Sequence, residues 1–267
     1  MLRSLFTGIS GLDAHQQMLD ITSNNIANVN TVGYKSSSAV FEDALSQQLS
    51  GAGAATTPTG GTNATEVGLG VKLAATNQNF TEGAAQPTGV PSNAMINGDG
   101  FFVLQKGGEQ LYTRAGAFTL DSAGHLVAPD GAMVEDISGN PVDLSALNTG
   151  TYKSYSIGAD GVITGVKADG TSSTLGQIAL ATFPNPNGLM KAGNNEFTMS
   201  ASSGTAVIGA PDSGSRGSLS SGYVEMSNVD LSQELTNLIV AERGFQANSK
   251  VITTSDEILQ TLVNLKQ

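Results

Sequence analysis

The sequence predicts an α+β protein: long N- and C-terminal helices pair as a coiled coil, and a central antiparallel β domain separates them along the chain. Three observations carry this. From Asn228 to Gln267 there is no proline and a single glycine, Gly244, while apolar residues recur every three or four positions. At the other end Leu2, Leu5, Ile9, Leu12, Leu19 and Ile26 keep the same rhythm. Between these stretches the apolar period falls to two and Asp-Gly turn signals recur.

Residues 1–33 read as helix, closing near Gly33, where a left-handed cap is easy. Asn24, Asn25, Asn28 and Asn30 crowd its last turns, and asparagine is a weak helix former. These amides are expected either to cap the helix end or to hydrogen-bond neighbouring chains. Residues 34–66 change character: a short helical piece, Ala39–Leu49, precedes GAGAATTPTGGTNAT, a low-complexity run that cannot bury enough apolar surface to fold alone. It reads as a linker, or as a segment ordered only on assembly.

Residues 67–227 read as the β domain. VGLGVKLAAT, GFFVLQ, QLYTRAG, HLVAP, GVITGVKA and GQIALATF alternate as short strands, with Asp130-Gly131, Asp160-Gly161 and Asp169-Gly170 among the turns. Residues 228–267 return to helix, opened by Asp230 with Gln233 three residues on, a capping-box arrangement. The stripe then runs through Leu231, Leu235, Leu238, Ala241 and Phe245, then Val251/Ile252, Ile258/Leu259, Leu262 and Leu265. Two matching stripes most simply face each other, antiparallel. The candidate assembly residues are Leu5, Ile9, Leu12, Leu19 and Ile26 with Asn24, Asn25 and Asn28, and, in the tail, Leu235, Leu238, Phe245, Ile252, Leu259 and Leu262.

Composition narrows the function. A net charge of −11 and a pI near 4.4 disfavour nucleic acid and anionic membrane, which demand clustered positive charge. There is no cysteine, so thiolate metal sites and thiol catalysis are excluded. No apolar run reaches the length of a membrane span, and the start of the chain lacks a signal-peptide core, so export without a cleaved signal is expected. The two histidines, His15 and His125, sit in a helix and a strand–turn region. Gly68-Leu69-Gly70 lacks the third glycine of a dinucleotide loop, and no serine occupies a nucleophile elbow. No catalytic, cofactor-binding or metal-binding residue is expected, and no cofactor.

NNIANVNTVGYK (Asn24–Lys35) and the tail SNVDLSQELTNLIVAERGFQANSKVITTSDEILQTLVNLK (Ser227–Lys266) resemble the two terminal signatures of the bacterial flagellar rod and hook proteins. GDGFFVL (Gly98–Leu104) and YTRAGAF (Tyr112–Phe118) resemble that family's β-domain motifs. Within the family, MLRSLFTGISGL and SDEILQTLVNLKQ look most like a hook protein, with the distal rod protein the alternative. Leu144–Tyr152, where an outer domain would be inserted, is short, so a short form without that domain is expected. The resemblance implies a non-enzymatic subunit that polymerises into a flexible tube, transmits torque from rod to filament and encloses the export channel. The implied partners are further copies of this chain, the distal rod protein, the hook–filament junction protein, the hook cap and the flagellar type III export apparatus. The implied place is the flagellar hook and basal body, outside the cell. Phe41 and Leu45 resemble an export-recognition element; the same spacing also fits an i,i+4 contact on a short helix.

Overall fold

Asp230 starts the C-terminal helix in the way its sequence position demands: Oδ1 accepts from Ser232 N at 2.9 Å and Gln233 N at 3.3 Å. Gln233 does not reach back to complete the box, but donates to Asn237 Oδ1 at 3.2 Å. In this computed structural model, which describes residues 2–55, 60–148 and 151–265, that helix spans Leu231–Asn264 (α2), and the N-terminal one Leu2–Ala27 (α1). The chain divides into a helical unit, Met1–Ala27 with Ser37–Gln78 and Asp230–Gln267, and a β unit, Asn28–Ser36 with Asn79–Val229.

These divisions differ from those expected at 33, 66 and 227. The first helix stops at Ala27, six residues early, because the asparagine cluster turns the chain. Asn28 O accepts from Thr31 N at 3.1 Å, and Asn28 Oδ1 from Thr31 Oγ1 at 3.0 Å. Gly33 does adopt the left-handed conformation (φ 69°), but in the strap that follows the helix, and a Cβ there would overlap the Ala115 backbone.

The helical piece expected over Ala39–Leu49 is not helix. Ser37–Asp43 is strand β1 and Ser46–Ser50 is β2. β2 pairs antiparallel with β3 (Thr65–Gly68), and β1 with β4 (Val71–Gln78), with a bulge between Val40 and Phe41. The Phe41-to-Leu45 spacing that suggested a helical turn instead spans the end of β1 and the corner after it. Within the Gly/Ala/Thr run Gly53 is bridged to Thr62; residues 56–59 lie outside the described residues. β3 and β4, expected in the β domain, belong to the helical unit.

The β unit is built around the run GFFVL. Its strands are β5 (Ala85–Pro87), β6 (Ala94–Asn97), β7 (Phe101–Lys106), β8 (Glu109–Thr113), β9 (Thr119–Leu120), β10 (Leu126–Val127), β11 (Met133–Val134) and a β12–β14 meander (Tyr152–Ile157, Val162–Lys167, Ser172–Gln177). β15 (Leu180–Thr182), β16 (Met190–Gly193), β17 (Glu196–Thr198), β18 (Val207–Gly209), β19 (Ser218–Ser221) and β20 (Tyr223–Glu225) complete it. The main sheet runs β16-β17-β8-β7-β11-β10-β9, with β15 also paired to β7. β7 is central, so alternate side chains enter two cores. Phe102 and Leu104 pack with Ile96, Phe118, Leu126 and Leu180; Phe101 and Val103 pack with Tyr112, Phe183 and Phe197. Leu144 is buried, a single helical turn follows at Ser145–Asn148, and Thr149–Gly150 lie outside the described residues.

Candidate assembly interface

α1 and α2 run antiparallel, and small or polar residues line the line of contact. Ser4 Oγ lies 3.4 Å from Ser255 Oγ. A Cβ on Gly8 would touch Ile252 at 3.2 Å, and one on Gly11 would press on Asn248 Oδ1 at 2.7 Å. Gly244 holds the His15 imidazole, where any Cβ would overlap the ring. Asn25 Nδ2 donates to Glu234 Oε1 at 3.1 Å. Each step of three or four residues up α1 thus meets one of three or four down α2, a coiled-coil register with glycines as the holes.

Of the large apolar residues, Ile252 sits on this line against Gly8, and those expected beside it are only partly covered. Leu5, Leu12, Leu19 and Ile26 are half-buried, as are Leu238, Phe245, Ile252 and Leu259. Ile9, Leu235 and Leu262 are exposed. Val251 and Ile258 of the stripe are exposed too, and so are residues outside it: Phe6 is 68% open, and Ile239, Val240 and Val263 are exposed. Since Ser4 already meets Ser255, the end of α2 after Leu259 runs past the start of α1. Thus the two helices bury one narrow face and leave many large apolar residues open. Large apolar residues left exposed in such number mark a candidate interaction surface.

The three candidate asparagines separate. Asn25 is buried and folded into its own chain, donating to Ser37 O at 2.8 Å and accepting from Ser37 N at 3.0 Å. Asn28 makes the turn described above. Asn24 lies at an exposed position near the end of α1. Phe41 is half-buried, its ring centroid 6.4 Å from that of His15, whereas Leu45 is 78% exposed.

The β unit holds a second arrangement that the sequence analysis passed over. Lys35, Arg114 and Glu225 are buried together. Lys35 Nζ donates to Glu225 Oε1 at 2.5 Å and to Thr81 O at 2.7 Å. Gly83 N donates to the same Oε1 at 2.9 Å, and Arg114 Nη1 lies 3.6 Å from Glu225 Oε2. Arg114 also donates to Gly98 O at 2.9 Å and stacks over Phe101 at 5.4 Å. Burial lowers the pKa of both cations, and the Glu225 carboxylate pulls each back. Beside this group Asn228 accepts from Ser36 N at 2.9 Å and donates to Asn79 O at 2.7 Å. The segments ending at Ser36 and Val229 and the one beginning at Asn79 are therefore fastened to one another. The signal for it was a charged residue inside each apolar motif: Lys35 in NTVGYK and Arg114 in YTRAGAF.

Three family models match the chain: "Flagella basal body rod protein" over residues 5–35, "Flagellar hook protein FlgE/F/G D1 domain" over 95–165 and "Flagellar basal body rod FlgEFG protein C-terminal" over 220–265. The flagellar basal-body rod protein FlgG of Bacillus subtilis is 47% identical over all of this chain and all of its own. The chain belongs to the flagellar rod and hook protein family. Another rod protein FlgG, from Borreliella burgdorferi, is 39% identical over the full length of both chains. The flagellar hook protein FlgE of the same organism is 30% identical over the full length of both. As a member of the flagellar rod and hook family, the chain is a structural protein of the flagellum and not an enzyme. Lys35, Arg114 and Glu225 each come from a different one of the three matched segments, so the family's signatures meet at one buried charge cluster.

Proposed function

We propose that the chain is a distal-rod subunit, polymerising through its terminal helices into a tube in the basal body. One observation carries the choice of rod over the hook expected from the terminal motifs. The 47% alignment with the rod protein spans 268 positions, whereas that with the Borreliella hook protein spans 441. Hook relatives therefore carry long stretches that this chain of 267 residues lacks. A short hook protein and a rod protein share the terminal signatures, which is why the motifs alone gave the hook as the main reading and the distal rod as the alternative.

The exposed face of α1 and α2 supports polymerisation. Full burial of each apolar side chain against neighbouring copies contributes about 1.5–3 kcal/mol, enough to hold a helix pair with so thin a seam of its own. The β2–β3 hairpin, whose strand residues are all exposed, gains order the same way. The adjoining parts are the hook on one side and the export apparatus that delivers the subunit, with Phe41 and Leu45 as the export element. Electron microscopy of tubes grown from the purified chain tests the assignment: straight, stiff tubes are expected, and curved, compliant ones would return it to the hook.

A further inference from the structure

Glu196 opens β17 directly after Asn195, whose Nδ2 donates to Val32 O at 3.1 Å and whose carbonyl accepts from Thr113 Oγ1 at 2.8 Å. So anchored, Glu196 is only 5% exposed and lines a cavity of about 470 Å³ in the β unit. The walls are largely apolar, Val32, Leu104, Ala115, Ala117 and Ala128 among them, while exposed Pro129 and Asn194 leave the cavity open to the surface. Two lining residues carry charge, and both are acids: Glu196 and Asp130 of the β10–β11 turn. Asp130 Oδ2 accepts from Lys106 Nζ at 2.5 Å and Oδ1 from Ala132 N at 3.2 Å. The Lys106 side chain is 44% exposed, so this ammonium reaches Asp130 from the solvent side. Among the described residues no N–H donor is hydrogen-bonded to the Glu196 carboxyl. Two acids thus face one ammonium, and a buried carboxyl without a cation of its own is costly to ionise.

We propose that this cavity receives a lysine or arginine side chain from a neighbouring copy of the chain, its stem against the apolar wall and its cationic head between Glu196 and Asp130. Such a side chain supplies what the cavity lacks, since its methylenes bury well while its head seeks a carboxylate. The surface of the chain offers such groups: Lys153 and Lys250 are exposed and belong to none of the ion pairs among the described residues. The inference rests on the polymer reading above, in which every β unit has neighbours. Burial, reinforced by the Asp130 charge and opposed by Lys106, raises the Glu196 pKa to about 7 in the lone chain. Asp130 stays ionised, held low by the Lys106 hydrogen bond despite its own burial. The remaining lining residues, from the strap, β7, β8 and the two turns, carry no charge. A cation pairs with the ionised form of Glu196, so its affinity is full above pH 7 and falls about tenfold for each unit below.

The first test titrates n-butylammonium, a lysine side chain without its backbone, into the full-length monomer at pH 8. Methyl resonances of Ala115 and Ala117 report it. Saturable shifts half-complete at about 1–10 mM are expected, the range open to so small a ligand. The half-point should rise about tenfold between pH 8 and pH 6. Neutral n-butanol should give no saturable shift, and Glu196→Gln should abolish that of the cation. Equal binding of n-butanol, equal binding of the cation to Glu196→Gln, or no binding at all overturns the cavity as a cation site. Tubes then identify the donor of the cation. At pH 8 Glu196→Gln should need at least about tenfold more subunit than the natural chain to assemble, while melting no lower. An unchanged critical concentration beside a positive titration overturns the neighbouring copy as the source. Failure of the natural chain itself to form tubes strikes the polymer reading and the neighbouring copy with it, while the titration still judges the cavity.

Discussion

The Lys35 ammonium lies 2.5 Å from the Glu225 carboxylate, and neither side chain touches solvent. Removing one partner of a buried pair leaves an uncompensated charge, which costs about 3–5 kcal/mol. Lys35→Met should therefore destabilise the β unit by that amount, less whatever Arg114, 3.6 Å from the same carboxylate, makes good. Urea unfolding followed by circular dichroism measures it. A loss under 1 kcal/mol would mean that Arg114 alone is enough to hold the Glu225 carboxylate.

Gly244 and His15 give a test of the helix seam. Gly244→Ala drives a methyl into the imidazole, and overpacking of this kind costs about 1–3 kcal/mol. His15→Ala vacates the space, so the double variant should regain most of the lost helicity in the lone subunit. Thermal melts of the three variants at 222 nm decide it, and additive losses would refute the contact.

The fold class, the Asp230 cap and the paired helices were legible because periodicity and capping are local signals. What periodicity could not tell was which of two adjacent apolar faces meets the chain's own partner helix. Leu262 and Leu259 stand three residues apart on one stripe, yet one is exposed and the other half-buried. The seam's glycines, Gly8, Gly11 and Gly244, which meet Ile252, Asn248 and His15, carry no hydrophobic signature of their own, because close helix approach selects for absent side chains. The Ala39–Leu49 stretch misled for a related reason: Phe41 and Leu45 fit a helical spacing, while the pairing of β1 with β4, thirty residues on, decided the outcome. The Lys35–Glu225 pair spans 190 residues, and nothing local announces it.

Export separates Phe41 from Leu45. Phe41 packs beside His15, so Phe41→Ala should lower the melting temperature of the lone subunit. Leu45 is open to solvent, and Leu45→Ala should leave that temperature unchanged. If the two act as an export element, Leu45→Ala will reduce the amount of subunit secreted without altering polymer grown from purified protein. Normal secretion of Leu45→Ala would restrict this region to a structural role.

The division between inner seam and outer face makes the sharpest prediction for assembly. Ala241 is fully buried in the helical unit, whereas Leu262 is about half-exposed on the part of α2 that runs past α1. An aspartate at Ala241 places an unpaired carboxylate where solvent does not reach, so Ala241→Asp should destabilise the lone subunit by several kcal/mol. An aspartate at Leu262 faces water in the lone subunit and costs it under about 0.5 kcal/mol. In the polymer the same carboxylate would be buried in every copy, adding a desolvation penalty to the lost leucine contacts at each addition step. Leu262→Asp should accordingly melt like the natural chain yet form no tubes by sedimentation or electron microscopy. Tubes from Leu262→Asp at the natural critical concentration would show that the outer face of α2 does not drive assembly, while a lowered melting point would place Leu262 inside the subunit's own core.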